Sequence, residues 1–247
     1  MGTPVSQRPR NSVKNELLGW LDELTFVTTR QLMRAMGVDT WSKEVYTYRL
    51  LGRLMAKGKV HEIGDARLGG QRILFSGAPD RTNWQHALGV ADVKIAVARS
   101  CRLLGYPYTW ASDDLKHSAG LSADGLLVFE KPAAGSPATR RLVVMEYQRT
   151  KLSCQRAAEK LSRFVALHDH LAHAFGVSHV YVLASFDLWP LGLSERWLQS
   201  LVRQVADWHV YVTSHVRLLD TPPEHVLTAP IWYRYEHDGL IPLFVKQ

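Results

Sequence analysis

Two short apolar runs, Leu126–Phe129 and Leu142–Met145, constrain this chain more than any other feature. Each is a block of Leu, Val, Phe or Met bounded by charged or turn-forming residues. That is how two buried strands joined by a hairpin read. The segment between them, Lys131–Arg140, holds two prolines and a glycine and reads as the connecting loop. Acids flank the runs: Asp124 stands just before the first, and Glu146 follows the last apolar residue of the second. Gln148 lies two residues further on, so strand alternation puts it on the same face as Glu146. Such a set can converge on a hard cation such as Mg²⁺, which takes one or two carboxylates plus water and phosphate oxygens. A metal held there would polarise a scissile phosphate and lower the pKa of an attacking water. The same acids read equally well as solvated strand ends, and spacing alone does not choose.

Charge is uneven along the chain. The net charge is +7 over 247 residues, and residues 1–75 hold 12 Lys and Arg against 7 Asp and Glu. A polyanion reader is therefore expected in the N-terminal part. There, Val13, Leu17, Trp20, Leu21 and Leu24 fall at helical spacing, with Ser12 as the expected N-cap. Thr28–Met36 reads as a second helix, capped by Thr28 or Thr29 and ended by Gly37. A third runs from about Ser42 to Lys57. Lys43, Tyr46, Tyr48, Arg49 and Arg53 point between its apolar positions. Gly58–Ile63 and Gln71–Phe75, with a turn at Asp65–Gly70, form a hairpin. Three helices and a hairpin describe a winged helix-turn-helix over residues 12–76. Lys43, Tyr46, Arg49 and Arg53 would read double-stranded DNA, and Arg67 and Arg72 would lie on or beside the wing. A winged helix that docks protein instead is the alternative.

Residues 78–83 read as a linker, and 82–247 as a second domain. Trp84–Leu104 is one long helix with His86 in its first turn. Tyr106–Ser112 is a strand ending at Asp113, a third candidate acid beside Asp124 and Glu146. Thr150–Leu171 reads as a helix whose outer face carries Lys151, Arg156, Lys160 and Arg163. Strands follow at Ser178–Ser185 and Val210–Ser214, a helix at Ser194–Trp208, and a terminal hairpin at 231–244. This order gives an α/β (α+β) core with a mixed sheet. The histidines 168, 170, 173 and 179 match no zinc signature, and Cys101 and Cys154 imply neither a disulfide scaffold nor a zinc knuckle. With Met1–Asn11 polar and no apolar run of membrane length, a cytoplasmic protein that does not engage membranes is expected. Phosphate-binding and dinucleotide fingerprints are missing, so no nucleotide cofactor is expected.

The Asp-Gly strand, the Glu-x-Gln strand end and the helix after it resemble the PD-(D/E)xK nuclease core. Within that superfamily they are most similar to the replication-relaxation proteins of plasmids and mobile elements. The matching features are His86 in Trp84–Val90, Tyr108–Asp113, Ser122-Ala123-Asp124-Gly125, Glu146–Thr150, and the helix containing Lys160–Phe164. The resemblance covers most of residues 82–245 and implies a restriction-endonuclease-like domain behind an N-terminal winged helix. It implies Asp124, Glu146 and Asp113 as Mg²⁺ ligands, with Gln148 and Lys160 completing a catalytic set. It also implies a role in replication or mobilisation, with other proteins of those processes as partners and a homodimer left open. Two positions depart from the pattern. Ala123 replaces the motif's proline and Gln148 its lysine, so a catalytically inactive DNA-binding regulator is the alternative.

Overall fold

The computed structural model describes residues 10–68, 70–77, 83–111, 121–133 and 136–244. The chain divides into two compact units, Met1–Ala91 and Asp92–Gln247. In the first, α1 (Arg10–Leu24), β1 (Phe26–Thr28), α2 (Thr29–Met36) and α3 (Trp41–Ala56) precede β2 (His61–Leu68) and β3 (Gln71–Phe75). The strands form an antiparallel sheet in the order β1-β3-β2. Leu17, Trp20, Leu21 and Leu24 of α1 are buried, as are Leu32 of α2 and Leu50, Leu51 and Leu54 of α3. This is the apolar stripe that the helical spacing foretells. Thr28 caps α2 in a capping box: its hydroxyl accepts the Gln31 N–H at 3.1 Å, and Gln31 Oε1 accepts the Thr28 N–H at 2.8 Å. Gly37, at φ 65°, closes the same helix in the left-handed region, as expected.

Several expectations for this unit need correction. Ser12 is not an N-cap, because α1 already begins at Arg10. The strand β1 is absent from the sequence reading, since three residues between two helices carry no periodicity. The turn expected at Asp65–Gly70 is mostly strand: β2 continues to Leu68 through an irregularity between Glu62 and Arg67.

Helix α4 (Trp84–Leu103) carries the division between the units, at Ala91 and Asp92. The second unit is built on β4 (Tyr108–Trp110), β5 (Gly125–Ala133), β6 (Ser136–Gln148), β7 (His179–Phe186), β8 (Val210–Ser214) and β9 (Tyr233–Arg234). They form one mixed sheet in that order, with β6, β7 and β8 mutually parallel and the remaining pairs antiparallel. The chain crosses from β6 to β7 through α5 (Cys154–Ala166) and α6 (His168–Phe175), and from β7 to β8 through α7 (Leu188–Leu191) and α8 (Glu195–Val205). The even-numbered side chains Leu126, Leu142, Val144, Val182, Ala184 and Val212 pack against Ala157, Leu161 and Phe164 of α5 and Leu198 and Leu201 of α8. That fills one face of the sheet, as βαβ connections require. The fold of this unit is α+β with a mixed sheet, as the sequence indicates.

Here too the segment boundaries shift. The loop expected at Lys131–Arg140 is largely ladder, with Glu130 opposite Arg140, Lys131 opposite Thr139 and Ala133 opposite Ser136. The single helix expected over Thr150–Leu171 is two. Ser153 caps α5 by accepting the Arg156 N–H at 3.2 Å, which leaves Thr150–Leu152 outside it, and the helix breaks at Leu167. The terminal hairpin reduces to β9 on β8 and one bridge, Trp232 with Ile241. The helix His215–Asp220, here α9, was not expected at all.

Candidate functional site

The register of β5 on β6 pairs Gly125 with Met145, and the acids sit where this ladder opens. Asp124 Oδ2 accepts the Tyr147 N–H at 2.7 Å, so its carboxylate lies against the peptide that joins Glu146 to Tyr147. Asp124 thus stands beside the backbone of Glu146. Glu146 is only 2% exposed and lies on the face that packs against α5. From that helix Lys160 reaches down and pairs its Nζ with Glu146 Oε1. Lys160 was expected on the outer face of its helix. It lies instead on the inner flank, because the cap at Ser153 sets the helical phase so that Ala157, Leu161 and Phe164 face the sheet. Arg156 and Arg163 stay exposed. Gln148 shares the face of Glu146 and is buried, but its amide donates to Thr150 O at 2.7 Å and Thr150 Oγ1 at 2.6 Å. Asp113 lies outside the described residues.

Mg²⁺ commonly keeps most of its water and takes one or two carboxylates from protein, a part that would fall here to Asp124 and Glu146. Lys160 is the competitor for Glu146. Among the described residues no group of three or more His, Cys, Asp or Glu is placed to hold a metal. Gly125, next to Asp124, leaves room for a neighbour: a Cβ there would stand 2.8 Å from Lys94 Cε. The Lys94 ammonium lies 5.2 Å from the centre of the Trp110 ring.

A second polar cluster, invisible in the sequence, lies on the opposite face at the same strand ends. Ser185 Oγ is 3.1 Å from His215 Nδ1, and His215 Nε2 is 3.5 Å from Asp92 Oδ2. The His215 ring lies 4.7 Å from that of Tyr147, whose hydroxyl donates to Asp187 Oδ2 at 3.3 Å. Burial and the Asp187 carboxylate raise the Tyr147 phenol well above its ordinary pKa. Ser, His and Asp in line suggest a nucleophilic triad, but the geometry rejects it. Ser185 is 1% exposed, and the imidazole offers Nδ1 to serine and Nε2 to aspartate, the reverse of a hydrolase triad. The cluster is a buried strut joining α4, β7 and α9. His86, the remaining candidate of the resemblance, lies half-buried in the first turn of α4, within the first unit.

On α3 of the first unit, Lys43, Arg49 and Arg53 are exposed and Tyr46 is half-buried. Lys43 Nζ is held by Asp39 at 2.6 Å, an exposed pair one helical turn apart. Tyr46, Arg49 and Arg53 line an open hollow of about 760 Å³ that also takes Lys14 from α1. A neighbouring hollow joins Lys14 and Arg53 to Lys57 and Lys59. No sequence pattern joins Lys14 of α1 to Lys57 and Lys59, and the fold brings them to one hollow. Trp41 at the start of α3 is 78% exposed. On the hairpin, Arg72 pairs with Glu62 at 3.5 Å, while the Arg67 side chain lies outside what is described. No helix among the described residues is long and apolar enough to cross a membrane. Comparison of the chain with protein-family models, with curated proteins and with solved structures gives no match.

Proposed function

We propose that the protein binds double-stranded DNA through a winged-helix unit and carries a nuclease-like acid site in its α+β unit. It would serve replication or mobilisation of a plasmid or mobile element. The observation that carries this reading is the pairing of Lys160 with the buried Glu146 at the open end of β5 and β6, with Asp124 bonded to the next backbone N–H. An acid pair beside a lysine is what phosphodiester hydrolysis uses: the carboxylates hold a cation and the ammonium offsets phosphate charge. A bound Mg²⁺ would supply charge to the scissile phosphate and a water of lowered pKa. Asp124 and Glu146 would hold it. Lys160 would leave Glu146 for the incoming phosphate, and Gln148 would orient water only after releasing Thr150.

The basic hollow on α3 supports the binding half of the reading. Arg49 and Arg53 project from a helix exposed along one side, with Lys14, Lys57 and Lys59 beside them, and such a surface suits phosphates flanking a major groove. A second reading, an inactive DNA-binding regulator, is favoured by one observation: Gln148 stands where a nuclease has lysine and is tied to Thr150.

One experiment addresses both. Supercoiled plasmid is incubated with the full chain in Mg²⁺, in Mn²⁺ and in chelator, and duplex affinity is measured across a salt series. The nuclease reading expects nicked circles with metal alone, and none from Glu146→Ala. Both readings expect affinity to fall linearly in log salt, with Arg49→Gln and Arg53→Gln each lowering the slope by about one. Binding without nicking selects the regulator. A salt slope unchanged in both arginine variants would remove α3 as the interface.

A further inference from the structure

The odd-numbered face of the sheet carries a hollow far from the acids. It opens where β7 and β8 begin, beside Arg141 of β6, has a volume of about 450 Å³, and lies wholly within the second unit. That volume is in the range of roughly 300–1,000 Å³ usual for small-molecule sites. On β6, Glu146 stands five positions beyond Arg141 of this hollow, about 16 Å of strand, and the two side chains leave opposite faces.

The lining is rich in cations and rings. Arg141 lies over Tyr181 and Phe244 at 5.9 and 5.8 Å, and its Nη1 donates to the Tyr181 hydroxyl at 2.8 Å. Arg234 lies over Trp208 and Tyr211 at 5.2 and 5.6 Å, and its Nη1 donates to the Tyr211 hydroxyl at 2.9 Å. Lys131 adds an ammonium 5.8 Å from the Phe244 ring. His179 and His209 complete the wall. No carboxylate belongs to the described lining, and among the described residues none pairs with Arg141, Arg234 or Lys131. Of the acids around it, Asp207 pairs with His209 of the wall at 3.2 Å and Asp238 with Arg203 at 3.6 Å, while Glu236 lines an adjoining hollow with Arg234. The Arg234 Nε is buried without a hydrogen-bond partner among the described residues.

Two guanidiniums, each hydrogen-bonded to a tyrosine hydroxyl and half-buried among aromatic rings, are oriented and partly stripped of water, which suits them to bind an anion. Because both tyrosine hydroxyls accept from arginine, their own protons remain to be donated. The hollow therefore offers donors in excess of acceptors. Trp208, 47% exposed at its rim, offers a flat apolar surface. We propose that this hollow binds a nucleoside phosphate, with the phosphate between Arg141 and Arg234 and the base on Trp208. The proposal is independent of the acid site and of α3. The same chemistry is presented by a free mononucleotide and by a unit of single-stranded DNA.

The test is calorimetric titration of the full chain with dAMP, deoxyadenosine, inorganic phosphate and single-stranded oligo(dA) of ten residues. Binding of dAMP is expected, weakened by about tenfold in Arg141→Gln and in Arg234→Gln, as loss of a charge-assisted hydrogen bond implies. Deoxyadenosine and phosphate alone should each bind more weakly than dAMP. Trp208→Ala, at a half-exposed position, tests the same site without disturbing the core. It should weaken dAMP by about fivefold or more and leave phosphate unchanged. Oligo(dA) tighter than dAMP, and sensitive to the same variants, identifies the strand as the natural ligand; equal affinity identifies the free nucleotide. The proposal is overturned if neither dAMP nor oligo(dA) binds. It is also overturned if binding is indifferent to all three variants, or is lost in Arg49→Gln instead.

Discussion

Glu146 shows how much one residue's role depends on partners that sequence cannot place. Its position after Met145 marks it as a strand-end acid, and that was legible. Its near-complete burial was not, because the covering residue, Lys160, lies 14 positions away on another element. A carboxylate so buried requires a cation or several donors. Lys160→Met should therefore lower unfolding free energy by about 1–3 kcal/mol in denaturant titrations. Adding Glu146→Gln should recover part of that loss, since paired groups couple. Additive losses would mean that the pair contributes nothing beyond its separate side chains. Cys101 gives a second residue-scale prediction. Burial pushes its thiol up to about 12 from an ordinary 9.0. Above pH 9 the unfolded chain then loses a proton that the folded chain keeps, so stability falls as pH rises, by about 1.4 kcal/mol per unit for this group. Cys101→Ala should flatten the dependence of stability on pH between 9 and 11 relative to wild type. An unchanged slope would locate the alkaline sensitivity elsewhere, with Tyr147, also raised, as the next group.

At the scale of elements, periodicity and capping explain what could be read. α2 is legible because Thr28 and Gly37 mark its two ends, and the structure uses both, adding Gln31 as the partner in the capping box. Thr28→Ala should destabilise the protein by about 1 kcal/mol, measured by thermal or chemical unfolding, through loss of the capping hydroxyl. A Thr28→Ser variant should keep most of that stability, and equal loss in both would refute the cap as the cause. β7 and β8 were legible as apolar runs, and α8 as an amphipathic stripe. The ends of the β5–β6 hairpin were not: Pro132 and Pro137 argued for a loop, yet the ladder persists around them to Ala133 and Ser136. The break between α5 and α6 is hidden because the apolar spacing continues through Leu167 and Leu171 while the backbone leaves the helix at Leu167. The Ser185–His215–Asp92 strut unites three elements distant in sequence, and no local pattern announces it.

Across the whole molecule, the division into a basic N-terminal unit and an α+β unit follows from charge and the change of periodicity. The sequence places the boundary at 78–83. The compact units part at Ala91, within α4, because Leu88 packs with Phe26, Ile73 and Phe75. The aromatic and cationic hollow was wholly unread, since its residues come from β5 to β9 and from the segment ending at Phe244. A divalent ion held by Asp124 and Glu146, as proposed above, would be linked to the stability of the entire fold. The direct measurement is thermal unfolding of wild type, Asp124→Ala and Glu146→Ala across a Mg²⁺ and Mn²⁺ titration. Wild type should gain about 2.7 kcal/mol at a hundredfold excess of metal over its dissociation constant, and neither variant should gain. No metal-dependent shift in the wild type, or an equal shift in all three proteins, would contradict that proposal.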